Sequence, residues 1–108
     1  MAASAQSSTQ KLIAALWQRN QPQILERLAL LDRAAADAVA GTLTPALREE
    51  AASTAHKLAG SLGMFGFHEG TRLARELDQH LESPNPDAAT LAVLTTQLRA
   101  SLYPPGQP

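Results

Sequence analysis

The chain has 108 residues, no cysteine and a formal net charge of −1. That length fits one domain with one hydrophobic core. The missing cysteines exclude disulfides and thiolate metal sites, and the near-neutral charge argues against nucleic acid as the main partner.

No apolar run reaches membrane-spanning length, and the opening MAASAQSSTQ lacks the pattern of a signal peptide. A cytoplasmic chain without membrane insertion, or a cytoplasmic piece of a larger protein, is expected. The richness in Ala and Leu, with few aromatic and β-branched residues, favours helix over sheet.

The first ten residues are small and polar and read as a frayed start. A short helix is expected from about Ser8 to Arg19, with Leu12, Ile13, Leu16 and Trp17 on its apolar side. Asn20-Gln21-Pro22 interrupts it, Pro22 falling in the first turn of a second helix. That helix carries Ile24, Leu28, Leu31, Ala35 and Ala38/Val39 at helical spacing and ends at Gly41. Thr44-Pro45 reads as N-cap and first position of a third helix, lined by Leu47, Ala51, Ala55, Leu58 and Leu62 and ending between Gly63 and Gly66. A fourth carries Phe67, Gly70, Leu73/Ala74, Leu77 and Leu81; Ser83-Pro84-Asn85-Pro86 is a loop. A fifth carries Leu91, Leu94, Leu98 and Leu102, and the tail YPPGQP is a linker or a frayed end. No segment alternates with period two. The expected fold is an all-α, antiparallel up-down four-helix bundle with a short additional N-terminal helix. It forms a single domain over 1–108 with an ordered core of about 8–102.

His56 faces away from the core stripe of its own helix. At about 100° per residue, the stripe residues from Leu47 to Leu62 fall within an arc of about 80°, and His56 lies about 140° from its centre. Around it on the wheel stand Ala52, Ala59, Gly60 and Gly63, with Ser53 and Glu49 near. This face lacks the long charged side chains usual on solvent-facing helix surfaces. Gly60, one turn after His56, costs on the order of 1 kcal/mol against alanine. That is sizeable beside the roughly 1.5–3 kcal/mol gained by burying a leucine. Geometry alone leaves three readings: a glycine-capped helix end with a bystander histidine, a site that something approaches closely, or a face packed on a neighbouring chain.

His56-Lys57-Leu58-Ala59-Gly60-Ser61, followed by Gly63, Phe65 and Gly66, resembles the signature of histidine-containing phosphotransfer domains, the carriers of multistep two-component phosphorelays. The motif covers about a dozen residues, while the expected bundle covers nearly the whole chain. The resemblance implies that His56 is phosphorylated and that Gly60 clears room for the phosphoryl group and the partner's active site. It further implies that Lys57 and Ser61 support the phosphoryl group. Ser61 and Gly63 belong to the tight, small-residue part of the helix, and Phe65 and Gly66 shape its end. The chain departs from the family pattern at Ala59, where a lysine is frequent. Lys57 is the candidate replacement for that charge, although it lies about 100° round the helix from His56.

The chemistry implied is attack by a neutral imidazole nitrogen, Nε2 in the family, on the acyl phosphate of a receiver-domain aspartate, followed by transfer to a second receiver. The expected partners are receiver domains of response regulators or hybrid sensor kinases. The docking surface is expected to comprise Ala52, Ser53, Ala59, Gly63, Arg72 and Arg75; a plain solvated face is the other reading of the arginines. No cofactor is expected in this chain, Mg²⁺ coming with the receiver. No metal site is expected either, His68 and His80 sharing no helix face. Without a Walker-type loop, no autonomous kinase activity is expected, and the domain is expected to be monomeric. It could stand alone or within a membrane-anchored hybrid kinase. Trp17 and Met64 read as packing residues, and Glu49 as solvated or as an orienting group for His56. A non-catalytic adaptor using the same face is the alternative function. An acid–base enzyme using His56 lacks any readable second catalytic group.

Overall fold

The computed structural model describes residues 2–104, with side chains for residues 8–104. Four helices follow one another: α1 (Ala2–Ala40), α2 (Pro45–Met64), α3 (His68–Glu82) and α4 (Ala88–Leu102). The connections between them are short, so successive helices run antiparallel. Each packs on its neighbour and α4 closes on α1, giving a four-helix up-down bundle. The expected fold class is borne out. No helix among the described residues is long and apolar enough to cross a membrane.

The expected short N-terminal helix is not a separate element. Residues 8–19 are the upstream half of α1, which passes through Pro22 and begins at Ala2, where a frayed start was expected. Proline removes only one rung of the i→i−4 ladder. Near that gap the Asn20 side chain donates from Nδ2 to the Leu16 carbonyl at 2.7 Å. Trp17 anchors the same turn, its ring lying 5.4 Å from that of Phe65, 4.7 Å from Phe67 and 6.2 Å from Tyr103. A straight helix of this length spans about 58 Å, matching the molecule's long axis of 56 Å. The upstream end of α1 therefore stands clear of the other helices, with Leu12 and Ile13 exposed.

The remaining boundaries follow local chemistry. Thr44 caps α2 by accepting from the Leu47 amide at 3.1 Å, with Pro45 in the first turn. Asp87 caps α4, its carboxylate accepting from the Thr90 amide and hydroxyl, and these bonds hold its carboxyl below the usual range. At the end of α2, Gly66 takes φ +80°. The Phe67 amide reaches back to the Leu62 carbonyl at 3.0 Å and the Gly66 amide to Gly63 at 3.2 Å. This is a Schellman turn, which needs a left-handed residue. Gly41 closes α1 in the same way, with φ +75°. The tail residues 105–108, read above as part of a linker or a frayed end, lie outside the described residues.

The core is almost wholly leucine and alanine: Ile24, Leu28 and Leu31 from α1, Leu58 and Leu62 from α2, Leu73, Leu77 and Leu81 from α3, and Leu91 and Leu98 from α4. Val39, placed above at the end of the α1 stripe, is exposed because that stripe runs out with the helix. Polar bridges tie the outer edges. Arg27 donates to Ser61, Arg48 donates to the Leu81 carbonyl at 2.9 Å, and Arg99 pairs with Asp32.

Two outcomes are expected. Leu58→Ala, at a site with no solvent exposure, lowers the unfolding free energy by about 2–5 kcal/mol in urea titration. Burial pushes the Tyr103 phenol above its usual pKa, the Arg99 charge working the other way. The folded chain therefore holds this proton more tightly than the unfolded chain. The associated stability is present below pH of about 10 and falls as pH rises through the folded value. Tyr103 is the only tyrosine, so its tyrosinate absorbance should titrate at higher pH in the folded than in the urea-unfolded protein.

Candidate functional site

The turn at Gly66 folds α3 back on α2 residue for residue. His56 stands eleven residues before Phe67 and Asp78 eleven after it, and His56 Nδ1 lies 3.2 Å from Asp78 Oδ2. Gly63 and Thr71 stand four residues either side of Phe67, and a Cβ on Gly63 would meet Thr71 Oγ1 at 3.7 Å. The same register sets Arg75 of α3 opposite Ala59 of α2, eight residues either side of Phe67.

The imidazole is open to solvent, with 80% of its side-chain area exposed, whereas Asp78 retains 16%. A carboxylate only accepts hydrogen bonds. The Nδ1–H of His56 therefore donates to Asp78, which fixes the neutral ring as the tautomer whose lone pair is on Nε2. Nε2 makes no hydrogen bond among the described residues.

Two open grooves flank the ring. One is lined by Arg48, Glu49, Ala52, Ser53, Asp78 and Glu82. The other is lined by Ala59, Gly60, Arg75, Asp78 and Gln79. His56 forms the ridge between them.

The structure sorts the residues singled out from the sequence. Gly60 is exposed, one turn from His56, and a Cβ there would meet nothing within 4 Å. Its φ is not positive either, so neither packing within the chain nor backbone conformation calls for glycine. Ser53 and Gly63 are exposed on the expected face.

Ala52 and Ala59 are not open surface. Both are buried, 9% and 4% exposed, because α3 lies against this side of α2 and the small side chains let it come close. They form groove floors. Ser61 is not beside His56: five residues on, it has turned about 140° around the helix and accepts from Arg27 of α1 at 3.2 Å. Lys57 is exposed but lines neither groove. Arg72 donates to both Glu69 and Glu76, and its bonds hold the Glu69 carboxyl below the usual range; its charge is already matched. Arg75 is exposed and makes no ion pair within the described residues. Glu49 lines a groove but does not touch His56, so it is not the orienting group. Met64 is exposed at the end of α2 rather than packed. Among the described residues no three His, Asp or Glu side chains are grouped to hold a metal ion.

Asp78 is the residue the sequence reading missed. It follows Leu77 in α3, at the margin of a buried stripe, and its spacing from Phe67 mirrors that of His56. Counting outward from the three-residue turn locates it.

A four-helix bundle that holds one carboxylate-steered imidazole on an open helix face has the form of a group carrier. A family model for the Hpt domain matches residues 8–102, and the chain belongs to the Hpt domain family. Hpt domains carry out histidine phosphotransfer in phosphorelay signalling and interact with receiver domains. Over 65 residues, 60% of the chain, it is 38% identical to Protein RcaC of Microchaete diplosiphon, and the chain spans about a tenth (10%) of the length of that relative. No solved structure matches the chain.

Asp78→Ala is expected to release the tautomer. Nitrogen–proton correlation spectra should show the His56 Nδ1–H form in the parent protein and a mixture of both tautomers in the variant.

Proposed function

We propose that His56 is the residue that carries the phosphoryl group, accepting it from a receiver aspartyl phosphate and passing it to another receiver aspartate. The observation that carries this reading is the exposed ring with Nδ1–H committed to Asp78 and Nε2 free. In the forward step the Nε2 lone pair attacks phosphorus. The N–P bond forms as the P–O bond to the aspartyl carboxylate breaks, and that carboxylate leaves with the electron pair. The ring becomes an Nε2-phosphorylated imidazolium, whose positive charge is balanced by Asp78 across the Nδ1–H bond. In the return step a second aspartate attacks phosphorus, and the N–P electrons go back to Nε2.

Such a transfer needs alignment and charge stabilisation more than an enclosed pocket. The receiver's Mg²⁺ would neutralise the phosphoryl oxygens, with no cofactor bound by this chain. The chain acts as a carrier without kinase activity of its own, as a single monomeric domain over 1–108 and on the cytoplasmic side of signalling. The receiver rests on the exposed parts of α2 and α3 around His56, with Ser53, Gly60 and Gly63 among its contacts. Gly60 gives the strongest support for that footprint: the chain leaves space there that none of its own atoms uses.

With a phosphorylated receiver as donor, acid-labile phosphate should appear on the parent protein and be absent from His56→Gln. Persistence of the label in that variant would sink the assignment. Substitutions at Gly60 should separate stability from function. Gly60→Ala raises unfolding free energy by about 0.5–1 kcal/mol, since it removes helix-interior glycine without a clash. Gly60→Gln keeps the fold but slows transfer from the receiver by about tenfold or more through displacement of the partner. Circular dichroism and single-turnover transfer assays read the two effects.

A further inference from the structure

We infer that Arg75 supplies the positive charge that grips the phosphoryl group on His56, replacing from α3 the lysine absent from α2 at Ala59. The inference rests on His56 being the phosphoacceptor, and it assigns the polarity of the site around it.

Three observations converge. The hairpin register sets Arg75 opposite Ala59, with Asp78 three residues further along α3 already touching His56. Side chains on a helix lean toward its N-terminus. In α3 that direction runs away from Asp78 and toward the turn, so the Arg75 guanidinium lies on the Gly60 side of the ring. Arg75 and Gly60 accordingly line the same groove beside His56. Second, this arginine makes no ion pair among the described residues, whereas its neighbours are committed. Arg72 is paired with Glu69 and Glu76, and Arg48 donates to the Leu81 carbonyl. Third, Lys57 lines neither groove. It would have to reach across about 100° of helix surface to contact a group on Nε2.

The two grooves also differ in sign. Beside Arg48, whose guanidinium already serves the α3 carbonyl, Glu49 and Glu82 face the groove on one side of the ring. On the other side, among the described residues, Arg75 is the only charged residue lining the groove apart from Asp78. A phosphoryl group carrying nearly two negative charges is repelled from the first groove and attracted into the second. It therefore lies over Gly60, where no side chain obstructs it, with the guanidinium fork on its oxygens. In the transition state those oxygens are the atoms that carry the spread negative charge. Arg75 therefore accelerates both loading and unloading of the histidine.

The test compares transfer from one phosphorylated receiver to the parent protein, Arg75→Ala, Arg75→Lys, Lys57→Ala and His56→Gln, with phosphoramidate as a second donor that requires no docking. Arg75→Ala is expected to slow labelling from both donors by about tenfold or more. Arg75→Lys should recover part of the rate, and Lys57→Ala should match the parent. A slow rate from the receiver alone, with the phosphoramidate rate unchanged, would overturn the inference by making Arg75 a docking residue only. So would equal rates for Arg75→Ala and the parent, or the loss appearing in Lys57→Ala instead. Failure of the underlying assignment reads differently, as label that survives in His56→Gln or is absent from every variant including the parent.

Discussion

The register of α3 on α2 governs the site, and a single turn sets it. Leu62, Gly63, Gly66 and Phe67 close three residues of chain through two backbone hydrogen bonds, so the helices leave the turn in fixed phase. Every cross-helix pair then follows by counting, down to His56 and Asp78 eleven residues away on either strand of the hairpin. The phase persists because the helices lie close. Ala52, Ala59 and Ala74 are buried between elements. At Gly70 an added Cβ would stand 3.1 Å from Leu62 and 3.2 Å from Leu102, tighter than the neighbours can easily accept. Small residues on both helices thus turn a sequence spacing into a 3.2 Å contact between two functional groups.

Against that frame the chemistry is modest and directional. Asp78 orders the imidazole from beneath while Nε2 stays in water. The two grooves beside it differ in charge because the cations of the region are already sorted: Arg72 and Arg48 are satisfied inside the chain, and Arg75 is not. The salt bridges of Arg72 lie on exposed surface and contribute little to stability. Their effect at the site is to occupy the Arg72 guanidinium, leaving Arg75 without an ion pair beside His56 among the described residues.

Much of this can be read in the sequence, and the failures have definite causes. Helix-period leucines, Thr44-Pro45 and the glycines at 41 and 66 locate three of the four helices closely, because capping and periodicity are local. Pro22 misleads because its local cost is outweighed by tertiary anchoring of Trp17 on Phe65, Phe67 and Tyr103, which no window of sequence contains. The bare face around His56 is half right. Gly60 is open, but Ala52 and Ala59 are small because a helix covers them, and a wheel drawn for one helix cannot separate these causes. Ser61 fails on the wheel itself, being too far around to face the histidine. Asp78 and the placement of Arg75 lie beyond single-helix reasoning and come within reach only when both arms of the hairpin are counted from the turn.

Trp17 meets Phe65, Phe67 and Tyr103 at one end of the bundle, so α1, the turn between α2 and α3, and the end of α4 are gathered at one place. His56 sits eleven residues up the hairpin, about 16 Å along the helix from that end, between grooves that α2 and α3 line among the described residues. The aromatic anchor and the exposed imidazole therefore stand apart, one at the end of the hairpin and the other on its flank. The turn fixes the register of the hairpin from its end without covering the face that carries the histidine.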